Sequence, residues 1–124
     1  MARNILIADD DRTIAHLIKE IIERRGATAL VAYDGEQAFK IFNNFKVDLI
    51  ITDLKMPNVD GMSLIRMIRE SNTDIPIIII TGYGSDRNYA LAQNYGVTNF
   101  LSKPCSVIDI SRAIDSALDL SKST

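Results

Sequence analysis

Ile75-Pro76-Ile77-Ile78-Ile79-Ile80-Thr81-Gly82 decides the fold. Four successive isoleucines leave no room for the apolar–polar alternation of a half-wet strand. A continuous apolar run of this length suits a strand covered by helices on both faces, and therefore a parallel sheet. Ile50-Ile51 repeats the pattern. Working outward, five short apolar runs recur at fairly regular intervals: Ile5–Ala8, Leu30–Tyr33, Val47–Ile51, Ile75–Ile80 and Val97–Leu101.

The stretches between them have helical spacing. Ile14, Leu17, Ile18, Ile21 and Ile22 mark one face of a first helix, and Gly26 is placed to end it. Asp34 and Gly35 open a second helix, expected to bury Ala38, Phe39, Ile41, Phe42 and Phe45. A third follows Asp60-Gly61 and carries Leu64, Ile65 and Ile68. Ser85 or Asp86 caps a fourth that ends near Gly96, the least convincing one, its apolar face diluted by Asn88, Gln93 and Asn94. Ser106 with Asp109 reads as a capping box for the last helix, with Ile110, Ile114, Ala117 and Leu118 inward. Strand then helix, repeated with right-handed crossovers, makes a doubly wound α/β sandwich. No linker or internal repeat interrupts it, so one domain is expected over 1–124, with a loose end at Ser121–Thr124.

Composition narrows the class. The chain has 124 residues, 47% hydrophobic and 24% charged, with a formal net charge of −2. These are ordinary values for a globular domain, and no basic excess points to nucleic acid. A single cysteine, Cys105, excludes an intrachain disulfide framework and a cysteine-based zinc cluster. No apolar run approaches the roughly 20 residues of a membrane span. Asp9 cuts the first run too early for a signal peptide. A cytoplasmic protein without membrane contact is the expectation.

In open parallel sheets, ligands sit at the carboxyl ends of the strands. There this sequence places Asp9, Asp10 and Asp11, then Asp53 to Pro57, then Thr81-Gly82-Tyr83-Gly84, then Ser102-Lys103-Pro104. The rim gathers carboxylates, a hydroxyl and an ammonium. Two carboxylates about 4 Å apart repel by about 4 kcal/mol at an effective dielectric near 20, so the cluster needs protons or a cation. Oxygen ligands with no His or Cys favour a hard ion, and few carboxylates with room for water describe Mg²⁺. A carboxylate beside such an ion, with a hydroxyl and a lysine close by, can attack phosphorus to form an acyl phosphate.

These residues resemble the receiver domains of bacterial two-component response regulators. The resemblance rests on Ile5-Leu6-Ile7-Ala8-Asp9-Asp10, on Asp53-Leu54-Lys55-Met56-Pro57-Asn58-Val59-Asp60-Gly61, on Ile80-Thr81-Gly82 and on Phe100-Leu101-Ser102-Lys103-Pro104. It covers essentially the whole chain and implies a flavodoxin-like sheet in the order 2-1-3-4-5. It implies Asp53 as phosphoacceptor, Asp10 as direct ligand of Mg²⁺ (or Mn²⁺), Asp9 as a ligand acting mainly through water, and the Lys55 carbonyl as a further ligand. Thr81 and Lys103 would contact the phosphoryl oxygens. Phe100 would be a switch aromatic that rotates inward when Thr81 moves, Lys103-Pro104 a cis peptide, and Gly82 a position kept bare for the phosphoryl group. The implied donor is a sensor histidine kinase or a histidine phosphotransfer protein. The implied output is an effector or a second copy, met through the fourth helix, the fifth strand and the last helix. The domain would assist only its own phosphorylation and dephosphorylation and would not be an enzyme.

Plainer readings hold for several neighbours. Asp11 is an N-cap, Asp60-Gly61 a turn and cap, His16 a surface residue, and Cys105, Met56 and Met62 packing residues. Lys55 and Tyr83 face the site mouth, where they could tune acyl-phosphate lifetime. Asp9-Asp10-Asp11-Arg12-Thr13 also fits the D-x-D-x-T opening of haloacid-dehalogenase-type phosphatases, with Asp9 as nucleophile and Asp11 as general acid. That alternative leaves Asp53 and the Met56-Pro57 loop unexplained. Flavin capture is disfavoured because Asp9 to Asp11 would repel its phosphate.

Overall fold

The structure, a computed structural model, describes residues 3–122, with side chains described as far as residue 119. Strands and helices alternate as β1 (Asn4–Ala8), α1 (Arg12–Glu23), β2 (Thr28–Ala32), α2 (Gly35–Asn44), β3 (Leu49–Thr52), α3 (Gly61–Ser71), β4 (Ile77–Thr81), α4 (Asp86–Asn94), β5 (Asn99–Ser102) and α5 (Val107–Lys122). The sheet runs β2-β1-β3-β4-β5 and every pairing is parallel. The doubly wound α/β sandwich of the sequence reading is the observed architecture.

The isoleucine run explains itself in this setting. All of β4 is buried. Ile78 and Ile80 join Ile5, Ile7, Leu49 and Ile51 in a core beneath α1 and α5. Ile77 and Ile79 join Leu6, Ala8 and Ile50 in a second core beneath α2 and α3. Each isoleucine removed from water stabilises the fold by about 1.5–3 kcal/mol relative to exposure. Because both faces are covered, neither parity of the strand can be polar. Among the described residues, no helix is long and apolar enough to cross a membrane.

Several details differ from expectation. Leu17 is 36% exposed, and Ala15 takes its place in the core beside Ile18, Ile21 and Ile22. The buried stripe of α1 is centred on Ala15, Ile18 and Ile22, which leaves Leu17 on its flank. Phe45, at 54% exposed, is not buried either. It is the C-cap of α2 with extended backbone, and the chain leaves the helix there before its side chain can turn inward. Strands β3, β4 and β5 begin after Val47, Ile75 and Val97. At Ser121 the expected loose end is replaced by helix, since α5 continues to Lys122; residues 123 and 124 lie outside the described residues. The caps fall as read: Asp11, Asp34, Asp60 and Ser85 each accept a backbone N–H of the helix they open. Ser106 Oγ likewise accepts from the Asp109 amide at 3.0 Å.

Candidate functional site

Register assembles the site before any side chain is considered. Ala8 of β1 pairs with Thr52 of β3, so the next residues, Asp9 and Asp53, leave the sheet side by side. The Asp53 amide donates to the Ala8 carbonyl at 2.9 Å. On the other flank Thr81 pairs with Ser102, and the Lys103 amide donates to the Thr81 carbonyl at 2.8 Å. Strand order reverses between β1 and β3, and this is where a doubly wound sheet opens a crevice.

Lys103 closes the cluster. Its Nζ donates to Asp53 Oδ2 at 2.7 Å and to Asp9 Oδ2 at 3.1 Å. Asp9 is 2% exposed and Asp53 5% exposed, so both carboxylates are withdrawn from water. The remaining oxygens are also engaged. Asp9 Oδ1 accepts from the Asp11 amide at 2.9 Å, and Asp53 Oδ1 accepts from the Leu54 amide at 2.6 Å. Asp10 is exposed, yet Asp9, Asp10 and Asp53 can each bring one oxygen within 4.8 Å of the others.

Burial pushes the Asp9 carboxyl above its ordinary value; hydrogen bonds from the Asp11 amide and Lys103 pull it down without overcoming that push, and the charge of Asp53 adds to the rise. Burial works against the charge of Lys103, but its hydrogen bonds to Asp53 and Asp9 hold the ammonium above its usual value. The lysine is therefore a firm cation against two buried carboxylates, and with Asp10 beside them its single charge cannot neutralise the cluster. An oxygen-only donor set with negative charge left over fits a hard divalent cation.

Thr81 is fully buried, and its hydroxyl accepts from the Tyr83 amide at 3.1 Å instead of reaching Asp53. Phe100 is half-buried, its ring tilted 59° against Tyr89 with centroids 5.7 Å apart. A cleft of about 400 Å³, lined by Thr81, Gly82, Tyr89, Phe100 and Lys103 among others, separates the site from the start of α4. The Lys55 ammonium lies 4.7 Å from the centre of the Tyr83 ring. The Lys103-Pro104 peptide is cis. His16 is on the surface, 3.4 Å from Glu20.

The family follows from a direct comparison. A model for the response regulator receiver domain matches residues 5–115. The chain belongs to that family. Among curated relatives of this receiver domain, the transcriptional regulatory protein GlrR of Escherichia coli (strain K12) is 35% identical over 118 residues, covering 95% of this chain and 27% of that protein. The response regulator GtcR of Aneurinibacillus migulanus is 36% identical, covering 95% of this chain and 48% of that protein. The receiver chain thus spans less than half the length of these relatives. Among solved structures, a CheY-like receiver domain from Methanospirillum hungatei JF-1 superposes with a TM-score of 0.94 at 27% identity, covering 99% of this chain and 98% of that one. A receiver domain from Clostridium thermocellum gives 0.88 at 35% identity, with 98% of each chain covered. The phosphatase alternative finds no support: the Asp11 side chain is committed to the Thr13 and Ile14 amides as a helix cap.

Two glycines matter to the packing of the protein in a way the sequence did not show. A Cβ on Gly61 would collide with the Asp53 carbonyl oxygen and lie 2.7 Å from Leu54 Cα. One on Gly35 would collide with the Val59 carbonyl oxygen. At Gly82 it would meet only Lys103 Cβ, at 4.0 Å, so no protein atom requires that position to be bare. The Gly84 position is the one that faces Phe100, at 3.4 Å. Asp34 caps α2 as read, and its second oxygen makes a contact with Asn58 that the sequence did not show.

Proposed function

We propose that this receiver domain takes a phosphoryl group onto Asp53 from a phosphohistidine of a sensor kinase or phosphotransfer protein, and so switches a partner surface. The observation carrying this reading is Lys103 bridging Asp53 and Asp9 beside Asp10, at the carboxyl ends of β1, β3 and β5. The Asp53 carboxylate oxygen would attack phosphorus; the O–P bond forms as the N–P bond breaks, and the imidazole leaves. Asp9, Asp10 and the Lys55 carbonyl would hold Mg²⁺ (or Mn²⁺), which when bound neutralises charge on the phosphoryl oxygens. Lys103 would shift from Asp53 Oδ2 to a phosphoryl oxygen, keeping its ion pair with Asp9.

A new acceptor oxygen near β4 gives the Thr81 hydroxyl a reason to leave the Tyr83 amide. The cleft beside it then offers Phe100 space to turn inward, away from Tyr89. Tyr89, Val107 and Ile108 are exposed on the α4–β5–α5 side, where an effector or a second copy would meet the change. The domain would assist only its own phosphorylation and hydrolysis. Incubation with a small acyl-phosphate donor and Mg²⁺, followed by intact mass, should give one Mg²⁺-dependent phosphoryl adduct on wild type and none on Asp53→Asn. No adduct on wild type overturns the reading.

A further inference from the structure

The loop that leaves Asp53 is braced from outside the site. Asn58 is the one non-glycine residue with positive φ, 67°, among the described residues. The Val59 amide donates back to the Pro57 carbonyl at 2.8 Å, closing a three-residue turn around Asn58. Such turns are rare and strained, and they persist where their surroundings over-determine them. Here the surroundings are the corner between β2 and α2. Asn58 Nδ2 donates to Asp34 Oδ2 at 3.0 Å, and the Gly35 amide donates to the Val59 carbonyl at 3.1 Å. The bare Gly35 allows that approach. Asp34 is itself held, because its other oxygen accepts from the Gln37 amide at 2.7 Å and caps α2. At the far end of the loop the Gly61 amide donates to the Leu54 carbonyl at 2.8 Å. Lys55, whose amide faces Asp53 Oδ1 at 3.4 Å, lies between these two fastenings.

We propose that the Asn58–Asp34 hydrogen bond is a tether by which the β2–α2 corner positions the Lys55 carbonyl beside Asp53, making Asn58 and Asp34 positioning residues for the cation site. This rests on the metal-dependent reading above. The tether acts on backbone placement, so it is separable from the conformational demand at Asn58. Glycine adopts positive φ without steric cost, and Asn58→Gly removes the side chain while keeping the turn sterically allowed.

Backbone amide exchange of residues 54–59 and Mg²⁺ affinity by titration calorimetry should be compared for wild type, Asn58→Gly, Asn58→Asp and the double variant Asp34→Asn/Asn58→Asp. Losing one hydrogen bond should speed exchange in the loop about fivefold. Losing an outer support of a metal ligand should weaken Mg²⁺ binding roughly tenfold. Asn58→Asp sets two carboxylates face to face and should do the same. The double variant, in which amide and carboxylate trade places, should restore both readings. Wild-type behaviour of Asn58→Gly in either measurement, or no recovery in the double variant, overturns the tether. A wild type that binds no Mg²⁺ refutes the metal-dependent reading instead, and the exchange rates then decide the tether alone.

Discussion

Replacing Lys103 by methionine removes the one cation among the described residues that touches the buried carboxylates while keeping most of its aliphatic stem. Its Nζ lies 2.7 Å from Asp53 and 3.1 Å from Asp9, with the lysine side chain 19% exposed. The two contacts are worth about 5–6 kcal/mol each, gross, at an effective dielectric near 20, and desolvation of the lysine offsets much of that. Breaking a buried pair by removing one partner costs about 3–5 kcal/mol. Exposure on the Asp10 side trims the expectation to about 2–4 kcal/mol for Lys103→Met. The sign of the pH dependence follows from Asp9. Its carboxyl already sits above its ordinary value through burial, and the variant loses the Lys103 contacts that pull it down. A carboxyl raised further in the folded state takes up a proton more readily folded than unfolded. The deficit should therefore be full at pH 7.5 and shrink as the pH falls toward 5. Urea unfolding without divalent cations at both pH values tests this. A midpoint equal to wild type at pH 7.5, or a deficit that does not change with acidification, would refute the electrostatic account.

Gly61→Ala should cost at least about 2 kcal/mol in urea unfolding, because its Cβ meets immovable backbone, whereas Gly82→Ala should stay within about 0.5 kcal/mol of wild type. Arg69 donates to the carbonyls of Tyr95, Gly96 and Asn72, joining the ends of α4 and α3. Because α4 otherwise buries only Ala92, Arg69→Ala should raise amide exchange across Asp86–Asn94 by about tenfold or more, with α1 and α2 unchanged. Arg25 pairs with Asp115 at 2.6 Å, linking the end of α1 to α5. The Arg25 hydrogen bond holds the Asp115 carboxyl below its usual value. Its contribution is present above that usual value of about 3.9 and lost as the pH falls through the folded one. Asp115 is more than half exposed, so Asp115→Asn should cost only about 0.2–1 kcal/mol at pH 7. Its melting curve should converge with that of wild type in strong acid.

Most of the polar rim was legible in the linear sequence because the fold writes it at strand ends. Once Ile77–Ile80 is read as a fully covered parallel strand, Asp9, Asp53, Thr81 and Lys103 must all emerge on one rim. No side-chain geometry is needed for that step. The helix caps were equally legible, since Asp11, Asp34, Asp60 and Ser85 act on amides two or three residues away.

Periodicity, by contrast, locates an apolar stripe only to within a broad arc. It could not choose between Leu17 and Ala15 until α1 was laid on the sheet. Close approach is wholly a tertiary matter. Gly61, Gly35 and Gly82 look alike in sequence, but the first two lie against the backbone of another segment and the third has only the Lys103 Cβ at van der Waals distance. The Asn58–Asp34 contact spans residues far apart in the chain and joins two loops that no local rule connects. Local propensity and strand register were enough to say which residues share the rim. Where backbones pass within a few ångströms of one another, only the assembled fold could say which residues hold that rim in place.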